Sequence, residues 1–179
     1  MNDAQVWALL LGKGCSTVGK TKEQVDANLQ SGYEAAAAEG IEGLFYRRCL
    51  EAGIKLPALI EAEASNAYRR VAENNLSAWM ALSRLGASCG GNDGDFLVLP
   101  GAACLPFYPD LGCRAMDDID LLVRPGGWHA VEKALRAIGG RPTPRHPDLW
   151  VCGTTVFDLH RDLFNCDRVR SRRWAGWLE

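Results

Sequence analysis

The sequence predicts an α+β protein in which a helical N-terminal lobe packs on a small mixed β-sheet. Apolar residues recur at helical spacing through much of the first ninety positions. Residues 87–95, ASCGGNDGD, then form a break that is rich in turn-forming residues. After this break, short apolar runs of strand length surround one amphipathic segment. We therefore expect two domains, a helical lobe over residues 1–90 and an α/β domain over residues 91–179.

Three helical segments are predicted in the N-terminal lobe. The first follows Thr21, a residue type that caps helices, and is expected to stop at Gly32. The second covers residues 33–54 and is rich in alanine at its start. The third runs from Pro57 to Leu85 and carries an apolar stripe that Asn75 alone interrupts. The stripe is expected to be part of the hydrophobic core.

The second half has the pattern of a small mixed sheet. Residues 96–100, FLVLP, and 119–123, IDLLV, are short apolar runs typical of buried strands. Residues 128–140 form an amphipathic helix that two glycines close. Residues 149–164 contain one or two strands, with a hairpin turn predicted near Gly153. The order strand, strand, helix, hairpin indicates an α/β unit and not a helical bundle.

Composition excludes several classes of protein. The formal net charge of −2 is that of 20 basic and 22 acidic residues, which argues against a general nucleic-acid binder. No apolar run is long enough to span a membrane, and the N-terminal residues do not resemble a signal peptide. Seven cysteines occur without any C-x-x-C pair, which favours free thiols in a reducing compartment. We therefore expect a cytoplasmic protein.

One motif matches a phosphate-binding loop. Residues 14–21, GCSTVGKT, fit the pattern G-x-x-x-x-G-K-[ST], in which backbone amides, a lysine and a hydroxyl surround phosphates. The fold that uses this loop alternates strands and helices, yet residues 22–90 offer no second strand. A solvated connection between helices explains the motif better. A P-loop NTPase that uses residues 14–21 remains an alternative hypothesis.

A second motif is acidic. Asp118 and Asp120 flank Ile119, and side chains alternate along a strand, so both carboxylates emerge on one face. Two carboxylates at this separation suit a hard divalent cation such as Mg²⁺. Asp158 lies on a later strand-like run, and His160 shares its face. If the two strands are neighbours, Asp158 either completes the metal site or accepts a proton from an attacking hydroxyl.

The segment around these acids resembles a known group of enzymes. Residues 98–125, VLPGAACLPFYPDLGCRAMDDIDLLVRP, and residues 157–164, FDLHRDLF, are similar to the nucleotidyltransferase superfamily, whose minimal fold is shared with DNA polymerase beta. More narrowly, they resemble uncharacterised bacterial proteins described as a nucleotidyltransferase family, which read approximately YPDPGLRPMSDIDLLV and then DLHW. The resemblance covers most of the chain and is densest over residues 96–165.

The resemblance implies a reaction and a set of roles. Nucleotidyltransferases move a nucleoside monophosphate from an NTP to a hydroxyl and release pyrophosphate. By this resemblance, Asp118, Asp120 and Asp158 hold Mg²⁺ and form the catalytic set. Gly101 is expected to open a helix whose N-terminus meets the triphosphate. The residues expected to bind the nucleotide are Gly101, Ala102, Arg114 and His160. The resemblance implies no membrane partner and leaves the acceptor unknown.

The sequence also departs from the pattern of the superfamily. Pro100-Gly101-Ala102 stands where relatives have a Gly-Ser pair or a lysine before the glycine. Each lost hydrogen bond to a charged group costs about 1.5–3 kcal/mol, so triphosphate affinity is expected to fall. The chain ends at Glu179, soon after Asp158, where relatives continue with further helices. A weak or inactive nucleotidyltransferase-like binding module is therefore an alternative, and a homodimer would cover apolar surface that those helices leave exposed.

Overall fold

The computed structural model describes residues 21–89 and 95–162. The chain divides into two units, one formed by the chain up to Leu76 together with Leu105–Met116, the other by Ser77–Cys104 and the chain from Asp117 onward. The GCSTVGKT motif lies outside the described residues apart from Thr21, and so does the boundary predicted at residues 90 and 91. The phosphate-binding loop and the domain boundary therefore stay predictions.

In residues 21–89 the chain forms the α-helices α1 (Lys22–Ala38), α2 (Glu42–Glu51) and α3 (Ala58–Ser88). Thr21 caps α1 through a capping box with Gln24, in which each side chain accepts a hydrogen bond from the other residue's backbone amide. No helix in residues 21–89 and 95–162 is long and apolar enough to cross a membrane.

The predicted stop at Gly32 is wrong. Helix α1 continues through Gly32 because the alanine-rich run that follows has high helix propensity. The helix ends instead at Ala38, and Gly40 follows with a φ of +66°, a left-handed conformation that glycine adopts without strain. The amides of Gly40 and Ile41 donate to the carbonyls of Ala37 and Ala36, the bonding pattern of a Schellman motif. The segment predicted as one helix over residues 33–54 is therefore two.

The first unit has its own hydrophobic core. Aromatic and aliphatic side chains of α1, α2 and the start of α3 are buried together, and these are Leu29, Ala36, Phe45, Cys49, Leu56 and Ile60. Phe45 lies at the centre and is fully buried, with the Tyr33 ring 6.1 Å from it between centroids. Helical periodicity in the sequence predicted the inward positions of Phe45, Cys49 and Ile60.

The second unit contains a five-stranded mixed sheet. Its strands are β1 (Phe96–Val98), β2 (Ile119–Val123), β3 (Arg141–Pro142), β4 (Leu149–Cys152) and β5 (Thr155–His160), in the spatial order β1-β2-β5-β4-β3. Strands β2 and β5 are parallel, and the other neighbouring pairs are antiparallel. Helical and sheet regions follow one another along the chain, which confirms the α+β class.

Helix α4 (Trp128–Ala137) connects β2 to the later strands and buries Val131, Ala134 and Leu135. Its C-terminal end lies against β4, because the Arg136 guanidinium is 4.9 Å from the centroid of the Trp150 ring. Gly153 has a φ of +62° in the turn between β4 and β5, where the hairpin was predicted. Short 3-10 helices occur within residues 95–162 at Ala102–Phe107, Leu111–Cys113 and Pro125–Gly127.

The segment after Gly101 is shorter than the resemblance implies. Gly101 has a φ of +135° and leads into the 3-10 helix Ala102–Phe107, not into an α-helix. Pro106 lies inside this segment, and Pro109 follows it. Proline has no amide to donate and disfavours the α conformation of the residue before it, so an α-helix cannot extend here.

Candidate active site

The two faces of β2 and β5 differ in chemistry. Their inward positions are apolar and buried, namely Ile119, Leu121, Val123, Phe157 and Leu159. The alternate positions hold Asp120 on β2 and Asp158 and His160 on β5, and all three are partly exposed. Asp120 pairs with Asp158 across the parallel strands, and Leu122 pairs with His160. Strand periodicity therefore places two carboxylates and one imidazole on the open face of the sheet.

The imidazole of His160 lies within hydrogen-bonding range of both carboxylates. His160 Nε2 is 2.8 Å from Asp120 Oδ1 and 3.5 Å from Asp158 Oδ2. The exposed fractions of the side chains are 26% for His160 and 33% for each aspartate, so solvent and a ligand can reach them. One potential ligand atom from each residue lies within 4.8 Å of the other two.

Asp118 lies just before β2 and interacts electrostatically with these three residues. Burial is the largest effect on its carboxyl and raises the pKa above the usual value. The negative charges of Asp120 and Asp158 raise that pKa further, as does Asp117. The imidazole of His160 acts in the opposite direction. Carboxylates so close together repel one another, and a bound cation would offset that repulsion.

Gly101 and Ala102 follow the end of β1, close to Asp120. The amide of Leu99 donates to the carbonyl of Asp120 at 2.9 Å, which extends the pairing of β1 with β2 by one residue. Ala102 is buried, and its methyl group offers no hydrogen bond to a phosphate. The segment Gly101–Ala102 therefore follows a residue that is bonded to Asp120. Its polar groups are those of the backbone.

Arg114 lies in the first unit, near the end of the 3-10 helix Leu111–Cys113. Its Nη1 donates to the Tyr108 hydroxyl at 3.2 Å, and its guanidinium lies 5.7 Å from the centroid of the Tyr108 ring. The Nε atom of Arg114 is buried without a hydrogen-bond partner. This guanidinium therefore keeps donor capacity that the described residues do not use.

Sequence reasoning treated Asn75 only as a polar gap in an apolar stripe. The structure shows it buried, with Nδ2 donating to the carbonyls of Leu111 and Arg114 at 2.7 Å each. Asn75 thus fixes the backbone that leads toward Asp118. Its position as one buried polar residue in an apolar stripe was the available signal, since a buried amide needs partners.

The donor set at the open face fits a divalent cation. Carboxylate oxygens suit Mg²⁺ and Mn²⁺, and an imidazole nitrogen suits transition-metal ions. The partly exposed side chains leave room for water and phosphate oxygens to complete the coordination. The residues that can hold the ion are Asp120, Asp158 and His160, with Asp118 adjacent.

A small mixed sheet with paired carboxylates on neighbouring strands is the arrangement that the resemblance to nucleotidyltransferases implies. The comparison with protein families agrees, since the model of an uncharacterised nucleotidyltransferase family matches residues 26–179. The chain belongs to this family. No curated protein and no solved structure matches the chain significantly. The individual roles predicted for the site residues therefore stay predictions.

Proposed function

We propose that this protein is a divalent-metal-dependent nucleotidyltransferase with its active site on the open face of β2 and β5. The observation that carries the proposal is the in-register pair Asp120 and Asp158, with His160 within 3.5 Å of both and Asp118 adjacent. This donor set suits a cation that binds phosphate oxygens. Mg²⁺ is the cofactor and NTP the substrate in the proposal.

The proposed reaction transfers a nucleoside monophosphate to a hydroxyl. The acceptor oxygen attacks the α-phosphorus, the bond from that phosphorus to the bridging oxygen breaks, and pyrophosphate leaves. When bound, the metal polarises the phosphate and neutralises developing charge. Asp118 and Asp120 hold the ion in this proposal. Asp158 either completes the ligand set or accepts the proton of the hydroxyl.

Nucleotide contacts are assigned to the residues that the resemblance implies. Gly101 and Ala102 follow Leu99, whose amide donates to the Asp120 carbonyl, and in the proposal their backbone amides bind the phosphates. Arg114 is assigned to a phosphate as well, because a guanidinium donates two parallel hydrogen bonds to phosphate oxygens. His160, the fourth residue assigned to the nucleotide site, lies 2.8 Å from Asp120. A cytoplasmic location is part of the proposal and fits the reduced thiols of Cys89, Cys104, Cys113 and Cys152 among the described residues.

The proposal is tested by following pyrophosphate release and transfer of label from α-³²P NTPs to a panel of hydroxyl acceptors. We expect metal-dependent transfer that falls by at least about 100-fold in Asp120→Asn and Asp158→Asn. Asp117→Asn is the matched control, because Asp117 is an exposed carboxylate of the same segment. Equal activity in all three variants would place the chemistry elsewhere.

A second candidate is a module that binds a nucleotide without transferring it. The observation that favours it is the loop Pro100-Gly101-Ala102, which offers neither a hydroxyl nor a lysine to the triphosphate. This candidate predicts metal-dependent NTP binding without pyrophosphate release for any acceptor. Restoring the hydroxyl with Ala102→Ser would then increase NTP affinity.

A further inference from the structure

We propose that His160 supplies a nitrogen ligand to the metal, so that the site prefers Mn²⁺ or Co²⁺ to Mg²⁺. This inference rests on the proposed role of Asp120 and Asp158 as metal ligands. It adds to that role a third ligand of different chemistry and a selectivity among cations. The acceptor and the base preference of the enzyme do not enter the argument.

The geometry of the strands carries the inference. His160 is two residues beyond Asp158 on β5, so strand periodicity directs both side chains to the same face. Its Nε2 lies 2.8 Å from an oxygen of Asp120 and 3.5 Å from an oxygen of Asp158. The same nitrogen thus approaches both carboxylates, as a ligand that shares one ion with them must. All three residues are on paired strands, whose backbone fixes their separation.

The chemistry of the donors sets the expected selectivity. Mg²⁺ prefers oxygen ligands and binds imidazole poorly, whereas imidazole is a good ligand for first-row transition metals. A site of two carboxylates and one imidazole therefore favours Mn²⁺ or Co²⁺ over Mg²⁺ more strongly than a site of three carboxylates does. The alternative is that the Nε2 proton of His160 donates to Asp120 and only orients that carboxylate.

The two roles differ in a spectroscopic signature. The experiment adds substoichiometric Mn²⁺ to the tag-free full chain without nucleotide and records electron spin echo envelope modulation. A bound imidazole gives a ¹⁴N modulation, which changes when the histidines are labelled with ¹⁵N. We expect this modulation in the wild-type protein. Absence of this modulation from the Mn²⁺ bound to the wild-type protein would overturn the inference, and this measurement needs no variant to fold.

Substitution of each histidine in turn identifies which one supplies the metal-bound nitrogen. His160→Gln should abolish the ¹⁴N modulation and lower Mn²⁺ affinity by about tenfold or more, with a smaller change for Mg²⁺ in calorimetric titrations. His129→Gln and His146→Gln are matched controls, because both residues are exposed and lie outside the cluster. Retention of the modulation in His160→Gln, or its loss in a control, would contradict the assignment.

The outcomes separate this inference from the proposed function. If the protein binds the ion through an imidazole but transfers no nucleotide, His160 is supported as a metal ligand and the proposed transferase activity is refuted. If the protein transfers nucleotides with a metal site made only of oxygen ligands, the transferase activity is supported and the role of His160 as a metal ligand is refuted. Similar affinities for Mn²⁺ and Mg²⁺ in the wild type would refute the selectivity.

Discussion

Asn75 shows how one buried polar residue fixes a loop. Its amide nitrogen donates to the carbonyls of Leu111 and Arg114, and its side chain is almost inaccessible to solvent. We expect Asn75→Ala to lower the free energy of unfolding by about 2–3 kcal/mol, because two carbonyls lose their donor and a cavity forms. Denaturant unfolding followed by circular dichroism measures this change.

The neighbouring Asn74 provides the control for this prediction. It lies on the same helix and is exposed, so Asn74→Ala removes the same group without breaking a buried contact. We expect its free energy of unfolding to stay within about 0.5 kcal/mol of the wild-type value. Equal losses in the two variants would show that the hydrogen bonds of Asn75 do not stabilise the fold.

At the scale of elements, Gly43 marks a close approach between α2 and the segment at Gly112. A Cβ atom at Gly43 would overlap the carbonyl oxygen of Gly112, and one at Gly112 would overlap the ring of Tyr68. Gly43→Ala is therefore expected to destabilise the protein by about 1–3 kcal/mol, although alanine is the better helix former. The unfolding free energy from chemical denaturation tests this expectation.

Gly86 on α3 is the matched control, because a Cβ atom there meets no other atom within 4 Å. Gly86→Ala should stabilise the protein by a few tenths to about 1 kcal/mol through helix propensity alone. If Gly43→Ala were equally stabilising, the contact between α2 and the Gly112 segment would not be tight.

The elements were predicted well where the signal is local. The strand Ile119–Val123 and the hairpin at Gly153 follow from alternation and turn chemistry within a few residues. The stop at Gly32 was wrong because glycine alone does not end a helix when alanines follow. Helix α1 ends shortly before Gly40, where the chain turns back with a φ of +66°. That turn depends on how α1 and α2 pack.

At the scale of the whole molecule, Cys113 links stability to pH. Burial, and then its hydrogen bond with Asp110, raises the pKa of its thiol from 9.0 to about 12. From about pH 9 upward the unfolded chain releases a proton that the folded protein retains, so stability falls with rising pH. Below pH 9 this thiol contributes no pH dependence.

We expect the unfolding free energy of the wild type to decrease above pH 9 by up to about 1.4 kcal/mol per pH unit more than that of Cys113→Ala. Denaturant unfolding of both proteins between pH 7 and pH 10.5 measures the difference in slope. Parallel curves over this range would show that Cys113 titrates normally in the folded state.

The candidate site was only partly predictable from sequence. Alternation within one strand placed Asp158 and His160 on a common face, since the period of a strand is two residues. The side-chain contact between Asp120 and His160 joins residues 40 positions apart and depends on which strands become neighbours. The resemblance to nucleotidyltransferases implied that Asp158 joins Asp118 and Asp120, but neither it nor the local patterns predicted the contact between Asp120 and His160. The contacts of Asn75 are also long-range, so its role was invisible in the helical stripe.

The central claim is that the face bearing Asp118, Asp120, Asp158 and His160 binds an NTP with a divalent metal. A calorimetric titration of ATP, GTP, CTP and UTP with and without Mg²⁺ or Mn²⁺ tests it most directly. The proteins compared are the wild type, the double variant Asp118→Asn/Asp120→Asn, and Lys20→Ala in the GCSTVGKT motif. We predict metal-dependent binding that the double variant loses and Lys20→Ala retains. Loss in Lys20→Ala alone, or no binding by the wild type, would contradict the claim.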